Sequence, residues 1–321
     1  VIMEMNKMTM DEFESQDIYY KYSKLMNSII ALQTVLCIIN GGWLVRRGTS
    51  HARIYEQVEL ARIDYSKSNT TKTLHNDIIQ YMDEGFDSIH NLINKVEVVN
   101  EDTFIAAREM MLNTDCNSGN ISVLNLANNS NPGGGWMSGC HAQEEDLFRR
   151  SNLSYYLCSS RNLYPISEDS NGTGCLFTRG VTVFRGTKDE GYRVYNNDEL
   201  FSVNVLSSAL FRLVHDGSNA PDNYYSDIVP NTWETILVSA IQNNQTYLVL
   251  GALGCGAFNN DAIQVSRALY NVLVYRTYMG EPLLYYFKKI NIAIIEDTNS
   301  GGTNVQNFNK TLAEIIDKSL S

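Results

Sequence analysis

The sequence predicts a layered α/β fold. Three observations carry this: short β-branched apolar runs alternate with helical patterns from residue 121 onward, two glycine-rich loops each follow a strand and enter a helix, and the N-terminal stretch is helix-forming throughout. With 321 residues and 44% hydrophobic content the chain can bury a substantial core.

The first fifty residues read as a helical extension, and residues 51–321 as the main domain. Within the extension, Leu25 to Val45 (LMNSIIALQTVLCIINGGWLV) is about long enough to span a bilayer and is followed by Arg46 and Arg47. Asn27, Ser28, Gln33 and Thr34 interrupt it, so it reads as a buried or oligomer-facing helix rather than a membrane anchor. Helical character is expected to continue to about residue 115, ending in the helix formers of Thr103 to Leu112. Strands follow at ISVLNLAN (from Ile121), LFTRGVTVFR (from Leu176), FSVNVLSSAL (from Phe201), TYLVLGALG (from Thr246) and INIAIIED (from Ile290). Helices are expected near Ala142, over Thr232–Asn243 and from Asp261 to about Tyr278, and the polar tract 167–174 reads as a surface loop.

The formal charge of -11 argues against a chain that tracks a nucleic-acid backbone, which needs clustered Lys and Arg. Six cysteines without a C-x-x-C pair, and the lack of a cleavable leader pattern, lead to the expectation of an intracellular, cytoplasmic setting, or a nuclear one in a eukaryote. Adjacent Cys140 and His141 lack the ligand spacing of a zinc site, so neither a metal nor any other cofactor is expected. His51, His75, His90 and His215 show no partner pattern.

The chemistry concentrates in NLANNSNPGGGWMSGCHAQEED, Asn125 to Asp146. Gly133, Gly134 and Gly135 let a main chain wrap closely around a sugar or phosphate, and Gln143, Glu144 and Glu145 fall at the head of a helix, where the dipole favours carboxylate. Adjacent helical carboxylates point about 100° apart and cannot flank one glycosidic bond from opposite faces. They must divide the work, one as general acid on a leaving oxygen and one as a hydrogen-bond partner to a neighbouring hydroxyl. Arg149 and Arg150 are expected to meet Glu145 and Asp146 as solvated i,i+4 pairs. The second loop, LVLGALGCGAFNND, offers Gly251, Gly254 and Gly256 between a strand and a helix N-terminus, an arrangement suited to a phosphate or diphosphate. It has neither a Walker lysine nor G-x-G-x-x-G spacing.

These two segments carry a family resemblance. GGGWMSGCHAQEE resembles the glycine-triplet and Gln-Glu-Glu signature of poly(ADP-ribose) glycohydrolases, and GALGCGAF resembles the diphosphate loop of their bacterial-type branch; LFTRGVTVFR and NFNKTL are similar to that branch too. The resemblance runs from about Arg53 to the C-terminus. It implies a macrodomain-like mixed sheet between helices, with the helical N-terminal extension outside it, and an enzyme that hydrolyses the ribose–ribose bonds of poly(ADP-ribose) from chain ends. By motif position it implies Glu145 as the catalytic acid, holding its proton more tightly than a free Glu, Glu144 as the residue that orients the ribose, and Gln143 as their support. It further implies Asn128, or Asn131 in the alternative register, before the loop; Gly133, Gly134 and Gly135 along the ribose and phosphates; Gly254, Cys255, Gly256, Ala257 and Phe258 around the diphosphate; and elements near Phe308 over the terminal ribose. Leu253 departs from the branch, which more often carries a large aromatic there. The partners implied are poly(ADP-ribose) or ADP-ribosylated proteins. Alternatives are removal of a single ADP-ribose from protein or nucleic acid, a non-catalytic ADP-ribose reader, and a membrane-tethered or interaction protein.

Overall fold

The computed structural model describes residues 16–39, 42–46, 58–62, 70–74, 95–167, 174–214, 217, 219–296 and 302–320. Seven strands form the central sheet: β3 (Thr70–Leu74), β4 (Val96–Val99), β5 (Ile121–Leu126), β6 (Gly174–Val183), β7 (Phe201–Ser208), β8 (Tyr247–Leu250) and β11 (Lys289–Ala293). Their spatial order is β3-β6-β7-β5-β8-β11-β4, parallel from β7 to β4 and antiparallel at the β3–β6 end. Two short antiparallel pairs lie outside it: β1 (Gly42–Arg46) with β2 (Val58–Arg62), and β9 (Thr277–Tyr278) with β10 (Glu281–Pro282).

The strand sequences explain why helices cover both faces. Side chains alternate along a strand, and here both sets are apolar. In β8, Tyr247 and Val249 join the cluster containing Phe104, Phe148 and Leu157, whereas Leu248 and Leu250 join Trp233, Leu269 and Phe308 on the other face. The first cluster involves α1 (Gln16–Ile39), α2 (Thr103–Asn113), α3 (Gln143–Arg150) and α4 (Leu153–Ser159); the second involves α5 (Val229–Gln242), α6 (Ala262–Tyr275) and α7 (Asn304–Leu320).

This topology positions the site. β5 and β8 are parallel neighbours, with Ile121 opposite Tyr247, so the glycine loop leaving each strand emerges at the same end of the sheet. Such carboxyl-end crevices are where open α/β sheets place ligands.

The five strands expected from residue 121 onward are present, as are the helices expected at about 142, 232 and 261. The stretch before residue 115 is corrected. In place of continuous helix, β1 to β4 lie there: the first helix ends at Ile39, β1 falls inside the expected helical extension, and β3 and β4 form the two edges of the sheet. Strands of four or five residues carry little periodic signal, and pairing with β6 and β11 decides their conformation over local propensity. Residues 168–173 of the expected surface loop, and His51, His75, His90 and His215, lie outside the described residues. Among the described residues no helix is long and apolar enough to cross a membrane.

Candidate active site

The first loop folds on its own side chains before it meets any other element. The Asn128 Oδ1 accepts from the N–H groups of Ser130 (3.0 Å) and Asn131 (2.9 Å), closing an Asx-type turn, and the Gly134 N–H then donates to the Asn131 carbonyl at 3.0 Å. Gly133 and Gly134 take left-handed φ values of 77° and 52°. Each glycine of the triplet is also required by a neighbour: a Cβ at Gly133 would overlap the Phe148 ring, at Gly134 it would stand 2.6 Å from the Glu145 Oε1, and at Gly135 2.5 Å from the Cys140 Sγ. The bare loop therefore lets the backbone close onto the carboxylates of α3.

Helix α3 begins at Gln143 with no side-chain cap from Ala142. Its first side chains turn back to the loop and strand instead. Gln143 accepts from the Leu126 N–H (2.9 Å) and donates to the Leu124 carbonyl (2.7 Å) and the Thr103 hydroxyl (3.1 Å), tying the helix to β5 and α2. Glu144 has both oxygens engaged. Oε1 accepts from the Gly133 N–H (3.1 Å) and the Asn125 side chain (3.3 Å), and Oε2 from the Asn128 N–H (2.8 Å). Glu145 uses one oxygen: Oε1 accepts from the Gly135 N–H at 3.0 Å, while Oε2 is buried with no hydrogen-bond partner among the described residues. Glu144 and Glu145 are 3% and 8% exposed, so neither is an ordinary decoration of a helix end.

Burial pushes the Glu144 carboxyl up to about 8. The donors from Asn128, Gly133 and Asn125 oppose this, and the neighbouring Glu145 charge adds to it. Glu144 therefore holds its proton more tightly than a free Glu.

The arginines of α3 meet expectation in part: the i,i+4 pair of Arg150 with Asp146 is present, but it is not solvated and Arg149 pairs elsewhere. Arg150 is buried, not solvated, and its Nη1 pairs with Asp102 (2.7 Å) and Asp146 (2.8 Å). Arg149, also buried, donates both Nη groups to the Cys140 carbonyl, anchoring the end of the glycine loop to the helix rather than meeting Glu145. Two desolvated guanidinium groups need charge or carbonyl partners at close range, which the Asp102 cap of α2 and the loop supply.

The second loop is held by Asn260. Its Nδ2 donates to the carbonyls of Gly254 (3.1 Å), Phe258 (3.1 Å) and Phe211 (2.9 Å), and its Oδ1 accepts from the Tyr224 hydroxyl at 2.6 Å. Gly254 has φ +74°, and a Cβ there would stand 2.7 Å from that Nδ2. Asp261 caps α6 through the N–H groups of Ile263 (2.8 Å) and Gln264 (3.0 Å). Among the described residues, the N–H groups of Gly254, Gly256, Ala257 and Phe258 have no hydrogen-bond partner. They form a set of donors available to an anion. Cys255 is buried, its Sγ donating to the Leu253 carbonyl, and burial raises its thiol well above the usual range, which removes it as a nucleophile.

The fold brings together Asn128, the glycine triplet, Gln143, Glu144 and Glu145 at one loop, with Gly254 to Phe258 on the adjacent strand end. Asn131 is exposed and contributes its carbonyl to the turn. Phe308 is fully buried in α7, its ring centroid 6.5 Å from that of Tyr270, in the same apolar cluster as Leu253 and Cys255 of the second loop. Asn125 and Asn260 escaped sequence reading. The available signal was an amide within an otherwise apolar strand and a doubled Asn before a helix cap. Among the described residues no cluster of three His, Cys, Asp or Glu side chains could hold a metal ion.

A mixed sheet with two glycine loops at one end of its strands, one closing on buried carboxylates and the other presenting free amides, defines a macrodomain-like fold. Residues 34–186 match the family model "Microbial-type PARG, catalytic domain". That match spans just under half of the chain; it makes the chain similar to the microbial-type poly(ADP-ribose) glycohydrolases (PARG) and indicates a glycosidase acting on poly(ADP-ribose). Among solved structures it is similar to the PARG of Thermomonospora curvata bound to the inhibitor ADP-HPD, at 24% identity over 88% of this chain and 98% of that one, with TM-score 0.67. It is also similar to the PARG of Deinococcus radiodurans in complex with ADP-ribose, at 25% identity over 76% of this chain and 95% of that one, with TM-score 0.56. A search of curated proteins found no match.

Two predictions follow from the site's geometry. A carboxyl raised in the folded state keeps a proton that the unfolded chain releases. The stability contributed by Glu144 is therefore full below its ordinary value near 4.5 and lost as pH rises through about 8. Urea denaturation across that window should show a declining wild-type midpoint and a flatter profile for Glu144→Gln; parallel profiles would contradict the assignment. In the second loop, a Cβ at Gly256 meets no atom within 4 Å, so Gly256→Val should fold normally. By obstructing the free amides it should weaken ADP-ribose binding by about tenfold or more in calorimetry. Unchanged affinity would reduce the loop to a turn.

Proposed function

We propose that the chain shortens poly(ADP-ribose) from its ends, releasing ADP-ribose, with Glu145 as general acid and base. The carrying observation is the asymmetry of the two carboxyls: Glu144 has both oxygens held by N–H donors, whereas Glu145 keeps a desolvated Oε2 without a protein partner. Protonated there, Glu145 gives its proton to the leaving 2′-oxygen as the ribose–ribose C–O bond breaks and an oxocarbenium-like ribose develops. Water then attacks, and Glu145 takes its proton, returning to the acid form. Glu144, fixed by Asn125, Asn128 and Gly133, orients the ribose; the amides from Gly254 to Phe258 receive the diphosphate. Neither loop contains Lys or Arg from Asn128 to Glu145 or from Gly251 to Asp261, so anion binding rests on backbone dipoles.

Residues 51–321 form the catalytic unit in this reading, with the first fifty as a brace. Exo-action is supported by the -11 charge, which offers no basic track for gripping the middle of a polyanion. Six free cysteines support an intracellular setting.

Incubation with automodified polymer, with products separated by chromatography, tests the proposal. Free ADP-ribose should accumulate from the first time points while long polymer shortens gradually. Early release of medium-length oligomers would contradict exo-action, and activity confined to mono-ADP-ribosylated protein would contradict the substrate.

A further inference from the structure

Helix α1 has two apolar stripes, and the fold uses one. Asn27, Ile30, Ala31, Thr34 and Ile38 are buried at helical spacing. Asn27 donates to the Gly139 carbonyl (3.3 Å) and Thr34 to the Arg149 carbonyl (2.7 Å), and a Cβ on Gly139 would collide with the Lys24 carbonyl. This face clamps the helix onto the end of the glycine loop and onto α3. The opposite face carries Leu25, Ile29, Leu32, Leu36 and Ile39, a strict 4-3-4-3 repeat. Leu25, Leu32, Leu36 and Ile39 are 39, 54, 58 and 73% exposed, and Met26 beside them is 50% exposed.

We propose that this outer stripe joins two copies of the chain, α1 against α1, as a short coiled-coil seam. Apolar residues at 3-4 spacing form knobs that fit the holes of an identical helix, and a stripe that is complementary to itself suits a two-fold, isologous contact. Charge selects the same occupant. The chain carries -11, yet positions 25–39 contain no Asp, Glu, Lys or Arg, so two copies can meet here without opposing like charges directly. Area agrees as well: five large, part-exposed side chains offer roughly 500 Å² per copy, about 1,000 Å² for the pair, the lower bound of a specific interface. Isolated helices of this length pair poorly, but this one is already ordered by its buried face, which removes much of the entropic cost of association. The inference does not depend on the catalytic reading.

Sedimentation velocity on the full chain tests it. The wild type should dimerise in the micromolar range, and Leu32→Glu/Leu36→Glu should raise the dissociation constant more than tenfold with an unchanged far-UV spectrum. Leu112→Glu, at an exposed leucine on α2, should leave the dimer intact. Independently, Leu32→Cys should give a disulfide-linked dimer on mild oxidation. A wild type that stays monomeric at about 100 μM, or a dimer indifferent to the double substitution, would overturn the proposal. Monomeric protein that instead sediments with phosphatidylcholine–phosphatidylglycerol vesicles would overturn it in favour of a lipid surface.

Discussion

The site depends on one set of hydrogen bonds, those converging on the Glu144 carboxyl. Through them a residue of α3 holds the start of the glycine loop at Asn128, its tight turn at Gly133 and the interior of β5 at Asn125. Strand, loop and helix are adjacent in sequence, but nothing in a strand–loop–helix connection fixes the loop's path. A desolvated carboxyl surrounded by N–H donors does, because leaving either side unpaired inside the protein is costly. The neighbouring Glu145 inherits its placement from this arrangement, since the same loop delivers the Gly135 N–H to one of its oxygens.

Surrounding elements stiffen that centre. Gln143 binds α3 to β5 at the helix start, Arg149 binds the loop end to the same helix, and Arg150 links α3 to the Asp102 cap of α2. α1 closes the outside by meeting both the Gly139 turn and the Arg149 carbonyl. Pre-organisation of this kind matters in a glycosidase, because a general acid must already be aimed when the leaving oxygen gains charge. The second loop answers the same need differently: Asn260 holds the carbonyls of Gly254 and Phe258, while the N–H groups of Gly254, Gly256, Ala257 and Phe258 are left without a partner among the described residues.

Much of this was legible in the sequence where chemistry and local pattern coincide. The glycine triplet, Gln143-Glu144-Glu145 and the second loop stand out because glycine and paired carboxylates are conspicuous, and the strands from β5 onward because their runs are long and β-branched. What escaped notice is set by distant partners. β3 and β4 are too short to announce themselves and exist through pairing across the sheet. Arg149 and Arg150 look like a solvated basic turn until Asp102 and the Cys140 carbonyl arrive from elsewhere. Phe308 is fully buried, in one apolar cluster with Leu253 and Cys255, a packing that its position in the sequence does not announce. Asn125 and Asn260 are unremarkable amides in sequence whose roles follow from where the sheet delivers them.

The central claim is a division of labour in which Glu144 organises the site and Glu145 moves the proton. The most direct measurement compares wild type and Glu145→Gln for ADP-ribose affinity by calorimetry and for polymer hydrolysis by product release. Loss of hydrolysis by on the order of 10²–10⁴ with affinity nearly unchanged is the predicted result, since a general acid acts in the transition state more than in the ground state. Near-normal turnover in Glu145→Gln would contradict the account.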